Sequence, residues 1–129
     1  MAYNIVKFCQ YYPAVPAVQQ IFQLPRNPMG ATTAAGAGLY GRATFCAALS
    51  GAGNISMEEW FFVFHYQSST QISGTAGDRF AGLVKAIGTP VLAACVATVG
   101  SYYARLTWTP SVADCNWIIR GEMWTESPS

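Results

Sequence analysis

The chain has 129 residues, of which 52% are hydrophobic and only 10% are charged, and its formal net charge is +1. This length is typical of one domain, but in ordinary soluble domains about 25% of the residues are charged. Seven basic and six acidic side chains cannot cover the surface of such a domain, so we expect copies of the chain, a partner or lipid to cover part of it, and the near-zero net charge excludes strong electrostatic binding to nucleic acid.

Residues 1–29 are rich in both proline and apolar side chains. The prolines disfavour a central strand and a long helix, whereas the apolar residues distinguish the segment from a polar disordered tail. The sequence therefore predicts an extended, proline-rich arm over residues 1–29. The arm should lie along a surface, of its own chain or of a neighbour, and a single domain should follow over residues 30–129.

Residues 39–50 and 57–67 are predicted to form a β-hairpin, because Gly51–Asn54 between them supplies the positive-φ residues of a tight turn. Both alternating faces of the second strand are apolar, which indicates a strand covered on both sides. We expect helices to cover one face, and the arm or a neighbouring subunit to cover the other. Asn54 also begins a formal glycosylation sequon, which we interpret as a chance match.

The central segment has the features of two helices. Thr75 and Asp78 resemble an N-terminal cap with an acid in the first turn. Four apolar side chains then recur at the spacing of one helical face; they are Phe80, Leu83, Val84 and Ile87. Pro90 can begin a second helix, which is apolar all round and should be buried, and Gly100 can end it.

Residues 101–109 and 115–124 are predicted to form a second hairpin with a turn between them. In its last strand apolar side chains alternate with mostly polar ones, so this strand should be half-exposed. The order of elements predicts an α+β fold: an antiparallel sheet built from two β-hairpins flanking a central helical segment, with the extended N-terminal arm. The alternative is a β-barrel or sandwich with one crossover helix.

The sequence offers little catalytic chemistry. His65 is the only histidine, and no nucleophile motif accompanies a serine or cysteine. Glu58 and Glu59 are adjacent, so in a strand they point to opposite faces and cannot act as a pair. The other acids show no spacing suited to a metal. We therefore expect no enzyme, no metal site and no cofactor.

The cysteines are far apart and show neither CxxC spacing nor a companion histidine, which argues against zinc. We interpret them as small buried hydrophobes in a reducing compartment, with three disulfide pairings as the open alternatives. They are Cys9, Cys46, Cys95 and Cys115.

The longest apolar run, Thr89–Ala104, is shorter than the ~20 residues that a spanning helix needs, and Pro90 and Gly100 interrupt it. The N-terminus lacks the pattern of a signal peptide. We therefore expect no membrane span.

Apolar and aromatic residues of the arm and of the last hairpin are the candidates for an interface, since Tyr and Trp carry much of the energy of interfaces. These candidates are Tyr11, Tyr12, Val15, Ile21, Phe22, Tyr102, Trp108 and Trp124. Arg42, Arg105 and Arg120 are the candidates for a surface that faces a genome, although inter-strand or inter-subunit ion pairs are their more ordinary role.

Low charge, many small and aromatic residues and an extended proline-rich arm give the chain the character of a small virion subunit. In these respects it resembles the small coat or capsid proteins of simple viruses and phages. The resemblance implies a structural protein that assembles with itself into a large homo-oligomer, located in the virion after assembly in the host cytoplasm, with weak contacts to packaged nucleic acid.

Two other functions stay open on the sequence. One is a small-ligand-binding α+β domain or an enzyme, with a pocket near His65. The other is a membrane-associated protein.

Overall fold

The described part of the chain folds into eight β-strands. The computed structural model describes residues 2–25, 38–49, 55–67, 71–89, 91–100 and 103–127. In chain order the strands are β1 (Ala2–Val15), β2 (Gln20–Gln23), β3 (Gly38–Leu49), β4 (Ile55–His65), β5 (Arg79–Ile87), β6 (Leu92–Val99), β7 (Ala104–Pro110) and β8 (Cys115–Ser127). A 3-10 turn, Ala76–Asp78, precedes β5.

These strands form two antiparallel sheets that pack face to face as a sandwich. The five-stranded sheet has the order β1–β8–β3–β4–β5, and the three-stranded sheet has the order β2–β7–β6. The predicted first hairpin is confirmed, since β3 pairs with β4 in a continuous register from Gly38 opposite His65 to Ala48 opposite Ile55. The turn predicted at residues 51–54, with the sequon at Asn54, lies outside the described residues.

The predicted second hairpin is wrong, because β7 and β8 lie in different sheets. β7 pairs with β2 and β6, whereas β8 pairs with β1 and β3. β6 and β7 form a hairpin instead, which the backbone N–H of Gly100 closes by donating to the carbonyl of Tyr103 at 2.9 Å. Residues 111–114 therefore carry the chain from one sheet to the other. This crossing lets the apolar faces of β7 and β8 meet across the core.

The core between the sheets is largely aromatic. Along β7 and most of β8 buried side chains alternate with more exposed ones, as predicted for the last strand. Trp108 of β7 has its ring centroid 5.1 Å from that of Trp117 of β8 and 5.7 Å from that of Phe45 of β3. All three are fully buried, and such aromatic pairs stabilise a core beyond the area they bury.

Two glycines allow β3 and β8 to approach closely at the centre of the five-stranded sheet. A Cβ atom on Gly121 would overlap the carbonyl oxygen of Arg42, and one on Gly41 would overlap that of Glu122. Both obstacles are backbone atoms, which cannot rotate away. The pairing of these two central strands therefore requires glycine at both positions.

The predicted α+β fold is wrong, because residues 79–87 and 92–99 form β5 and β6 and no α-helix occurs in the described part of the chain. The spacing of Phe80, Leu83, Val84 and Ile87 imitates a helical face because β5 contains a register irregularity, opposite Glu59 and Trp60, that shifts its alternation by one residue. β6 is apolar on both faces, and periodicity cannot distinguish such a run from a buried helix. The alternative fold also required a crossover helix, which is not found in the described ranges.

The segment predicted as an arm contributes two strands within its own chain. β1 pairs with β8 from Ala2 opposite Ser127 to Val15 opposite Cys115, with a register shift between Tyr12 and Val15. Residues 20–23 then cross to the three-stranded sheet as β2. Some of the apolar side chains of this segment are therefore buried in the core of the same chain.

Candidate interaction surface

β5 is a free edge of the five-stranded sheet and carries large apolar side chains in contact with water. Among the residues that the structure describes, it pairs with β4 on one side only, and its other edge is free there. Its exposed residues are Phe80 (59% exposed), Leu83 (51%), Val84 (51%) and Ile87 (54%). Natural edge strands are commonly protected by charges, proline, short length or a covering element. β5 has nine residues, no proline and only Arg79 and Lys85 as charged residues.

β6 is the neighbouring free edge, in the three-stranded sheet. It has no charged residue, and Val96 on it is 54% exposed. A groove of about 310 Å³ runs between the two edges and includes Phe80, Ala81 and Val96 in its lining. We call β5, β6 and their exposed side chains the β5–β6 side.

Arg79 links β5 to β6 by a hydrogen bond between the two sheets. Its Nε donates to the carbonyl of Ala97 in β6 at 3.0 Å, and its Nη1 donates to the carbonyl of Gly74 at 3.1 Å. The turn before β5 is fixed by Ser73, whose hydroxyl donates to a carboxylate oxygen of Asp78. Thr75 makes no side-chain capping bond, so the pattern read as a helix cap instead builds the turn that starts β5.

Polar groups are buried next to the β5–β6 side. Glu58 on β4 is 4% exposed, and burial raises the pKa of its carboxyl above the usual value. Burial, together with the charge of Glu58, raises the pKa of the Cys95 thiol to about 12. Ser56 on the same face of β4 accepts a hydrogen bond from the backbone N–H of Val91 at 3.3 Å. The interior is therefore more polar here than beneath the central strands.

The outer face of the five-stranded sheet, which faces away from the other sheet, carries a band of charge across the strands. The register places Lys7 opposite Glu122, Glu122 opposite Arg42, and Glu59 opposite Lys85. Arg42 forms an ion pair with Glu59 at 3.4 Å, although its side chain is 61% exposed. A shallow groove of about 520 Å³ lies over part of this band.

The arginines proposed to face a genome do not share one surface. Arg42 and Arg120 lie on the outer face of the five-stranded sheet. Arg105 alternates with the buried Ala104 and Leu106 and therefore lies on the outer face of the three-stranded sheet, on the opposite side of the sandwich. A single nucleic-acid surface built from all three is excluded by this placement.

The interface candidates also divide into groups. Val15, Phe22 and Trp108 belong to the core, at 4%, 5% and 0% exposure, so they are structural residues of the chain itself. Tyr12 is half-buried with its ring at the edge of Trp108, and Trp124 is half-buried and stacked on Tyr40.

Only Tyr11 and Ile21 among these candidates are well exposed, at 55% and 52%. Tyr102 lies outside the described residues. Sequence reasoning missed the β5–β6 side because its apolar residues were assigned to buried helices.

His65 is exposed at the end of β4, on the outer face. It does not line the groove over the charged band, nor the groove between β5 and β6. The four cysteines are free thiols, of which Cys95 and Cys115 are buried and Cys9 is exposed.

Within the described ranges, no group of three or more metal-ligating side chains is close enough to hold an ion. No helix there is long and apolar enough to cross a membrane.

Comparison with known proteins gives a likeness of fold. No protein-family model matches the sequence, and no sequence match to a curated protein is significant. The structure is similar to part of the crystal structure of the Acinetobacter baumannii phage AM24 tailspike protein, with a TM-score of 0.53 and 8% sequence identity. The alignment covers 97% of this chain and 26% of the tailspike chain. The fold of this chain therefore resembles about a quarter of a phage structural protein.

Proposed function

We propose that the chain is a self-assembling structural protein of a phage or other virus particle, and that the β5–β6 side is where it meets other subunits. The observation that carries the proposal is the exposure of five large apolar side chains, each more than half exposed, on two adjacent free strand edges. Large apolar side chains that stay exposed along neighbouring strand edges are typical of an interaction site. Free edges add unpaired backbone groups that can extend a sheet into a partner.

The energetics favour association at this side. Full burial of a large aliphatic or aromatic side chain is worth about 1.5–3 kcal/mol, so half-exposed residues have roughly 1 kcal/mol each still to gain. A low charge content leaves little electrostatic repulsion between identical subunits. Repeated contacts in a closed assembly would then be individually modest and collectively strong.

The likeness to part of a phage tailspike supports the choice of a virus particle as the setting. That protein is a component of a phage, and this chain shares the architecture of part of it at a sequence identity that carries no residue-level correspondence. A role in a coat or capsid is the finer form of our proposal, and it places the chain in the virion. The proposed mechanism is burial of surface, so it needs no catalytic residue.

Sedimentation velocity and negative-stain microscopy of the purified chain test the proposal. We expect assemblies larger than a monomer, and Ile87→Lys should shift them toward monomer because it places a charge on the β5–β6 side. Ile21→Lys is the matched control, since Ile21 is 52% exposed and Ile87 is 54% exposed. A stable monomer at micromolar concentration for the unsubstituted chain, or equal effects of both substitutions, would contradict the proposal.

A further inference from the structure

We infer that the β5 edge pairs antiparallel with the β5 edge of a second copy of this chain, so that two five-stranded sheets join into one sheet of ten strands. The inference rests on the proposed function and names its partner and mode of contact. Its basis is the arrangement of apolar residues along β5, which is symmetric about the midpoint between Leu83 and Val84. Phe80 and Ile87 lie equally far from that midpoint on either side.

A two-fold axis through this midpoint would bring apolar residues together. In an antiparallel pair centred there, Phe80 lies opposite Ile87 of the second copy, and Leu83 lies opposite Val84 of the second copy. Opposed side chains in antiparallel strands have Cβ atoms about 4.5–5.5 Å apart and contact each other directly. A two-fold contact of this kind uses the same patch on both subunits, which is why a second copy fits better than an unrelated strand.

The register irregularity in β5 makes this pairing consistent on both faces. In a regular strand, residues seven positions apart point to opposite faces. In β5, however, Phe80 lies opposite Val63 and Ile87 lies opposite Met57, and both of these β4 residues belong to the outer face. Phe80 and Ile87 therefore share the outer face. A two-fold axis perpendicular to the sheet keeps outer residues on the outer side, so these two can meet.

Lys85, one of the two charged residues of β5, also fits this arrangement. Lys85 would lie opposite Gly82 of the second copy instead of opposite another Lys85, which avoids like charges in direct opposition. Gly82 has no side chain, and the ring of Phe80 lies over it, so close that a Cβ atom there would be 2.7 Å from the ring. The lysine side chain thus meets an aromatic ring, which is a favourable contact for a cation. Its own sheet supplies Glu59 directly opposite.

The inner face of β5 gives a second reason for a partner. Leu83 lies opposite Trp60 of β4, on the face that points toward the other sheet, yet it is 51% exposed. The described part of the three-stranded sheet contacts β5 at Arg79 but leaves Leu83 half exposed. In the joined sheet, Leu83 would contact Val84 of the second copy near the two-fold axis and lose part of this exposure.

Disulfide trapping between two differently tagged single-cysteine variants tests the inference. The background carries Cys9→Ser and Cys46→Ser, which leaves only the two buried cysteines. Phe80→Cys and Ile87→Cys are prepared separately, mixed, and oxidised with diamide. We expect a covalent heterodimer as the major product of the mixture and little dimer from either variant alone, because opposed residues of antiparallel strands lie within disulfide reach.

The outcomes separate this inference from the proposed function. Equal crosslinking of Phe80→Cys with itself would overturn the antiparallel register. Assemblies by sedimentation velocity without the Phe80–Ile87 crosslink would overturn β5 pairing and leave self-assembly standing. A monomer in every sample would overturn both. Circular dichroism of each variant verifies the fold, and both substitutions are at positions more than half exposed.

Discussion

The two edges of the five-stranded sheet are built differently. β1, at one edge, contains Pro13 and Lys7, and its pairing with β8 is irregular between Tyr12 and Val15. Proline, charge and irregularity are the devices by which natural sheets prevent further strands from adding. β5, at the other edge, has a lysine and an irregularity but no proline, and most of its large apolar residues are more than half exposed.

This difference indicates that the five-stranded sheet is better protected against further strand pairing at β1 than at β5. Both edges belong to the same sheet and share the core, so stability of the fold does not explain why only one is protected. An exposed, apolar edge would be a hazard for a monomer. It is useful in a subunit whose neighbour covers it, and pairing of two β5 edges would leave the protected β1 edges at the two ends of the joined sheet.

Introducing a proline into β5, like the one in β1, should have the largest effect on association. Val84 has no partner in the register between β4 and β5, and proline is tolerated in such irregular positions. Val84→Pro should therefore keep the fold while removing a backbone donor from the strand and deforming its free edge. Each ladder hydrogen bond contributes about 1 kcal/mol, and each copy in the pair loses one. We therefore expect association to weaken by about thirtyfold in sedimentation equilibrium.

Val84→Ala is the matched control for this change. It shortens the apolar side chain but keeps the backbone N–H. Because alanine retains part of the apolar surface, each copy should lose roughly 0.5 kcal/mol, and association should weaken by about fivefold. Equal dissociation constants for the two variants would show that the backbone edge takes no part in the contact.

Glycine substitutions should distinguish the tightly paired centre of the sheet from its open edge. Gly121→Ala places a Cβ atom against the backbone carbonyl of Arg42, and such overpacking costs about 1–3 kcal/mol. Gly82→Ala in β5 meets only the exposed ring of Phe80, which can turn away. We expect a change within about 0.5 kcal/mol there.

Urea unfolding monitored by tryptophan fluorescence measures both changes in the free energy of unfolding. Loss of stability at Gly82 equal to that at Gly121 would mean that the edge strand is as tightly constrained as the central pair. The monomeric Val84→Pro background removes the contribution of association from the comparison.

The parts of the fold that the sequence predicts are those in which one face is buried and the strand is regular. β8 shows this property, and its alternation identifies the core residues Trp117 and Ile119. β4 is apolar on both faces, so its alternation does not distinguish the buried face from the outer one. The low charge content likewise predicts that apolar surface remains for a partner. These inferences need only local pattern and composition.

The remainder depends on contacts between distant segments. β5 is an edge strand with an irregularity, so its apolar spacing matches a helix better than a regular strand. The pairing of β8 with β1, instead of with its sequence neighbour β7, depends on contacts across more than a hundred residues of chain. The interface candidates were chosen by residue type, which does not show exposure, and the structure places Phe22 and Trp108 in the core.

The interiors beneath the two edges should differ in their response to pH, which is the smallest of the expected effects. Beneath β1 the side chains Val6 and Phe8 pack against an apolar core, whereas Glu58 is buried next to β5. Burial raises the pKa of Glu58 in the folded state above its ordinary value of 4.5. The folded state therefore binds a proton more tightly than the unfolded state does, and raising the pH through the folded-state pKa removes this source of stability.

Glu58→Gln keeps the shape of the side chain but cannot ionise, so its stability relative to the unsubstituted chain should rise as the pH rises from about 4.5. Ser56→Ala, on the same buried face of β4, is the control, because it changes a buried polar side chain without removing a titratable group, and it should preserve the original pH profile. Thermal unfolding midpoints measured across this pH range in the monomeric background test this prediction. If the Glu58→Gln profile runs parallel to that of the unsubstituted chain, Glu58 is not the cause of the pH dependence of stability. The same carboxylate underlies the two free edges, so its ionisation would loosen the β5–β6 side before it affects β1.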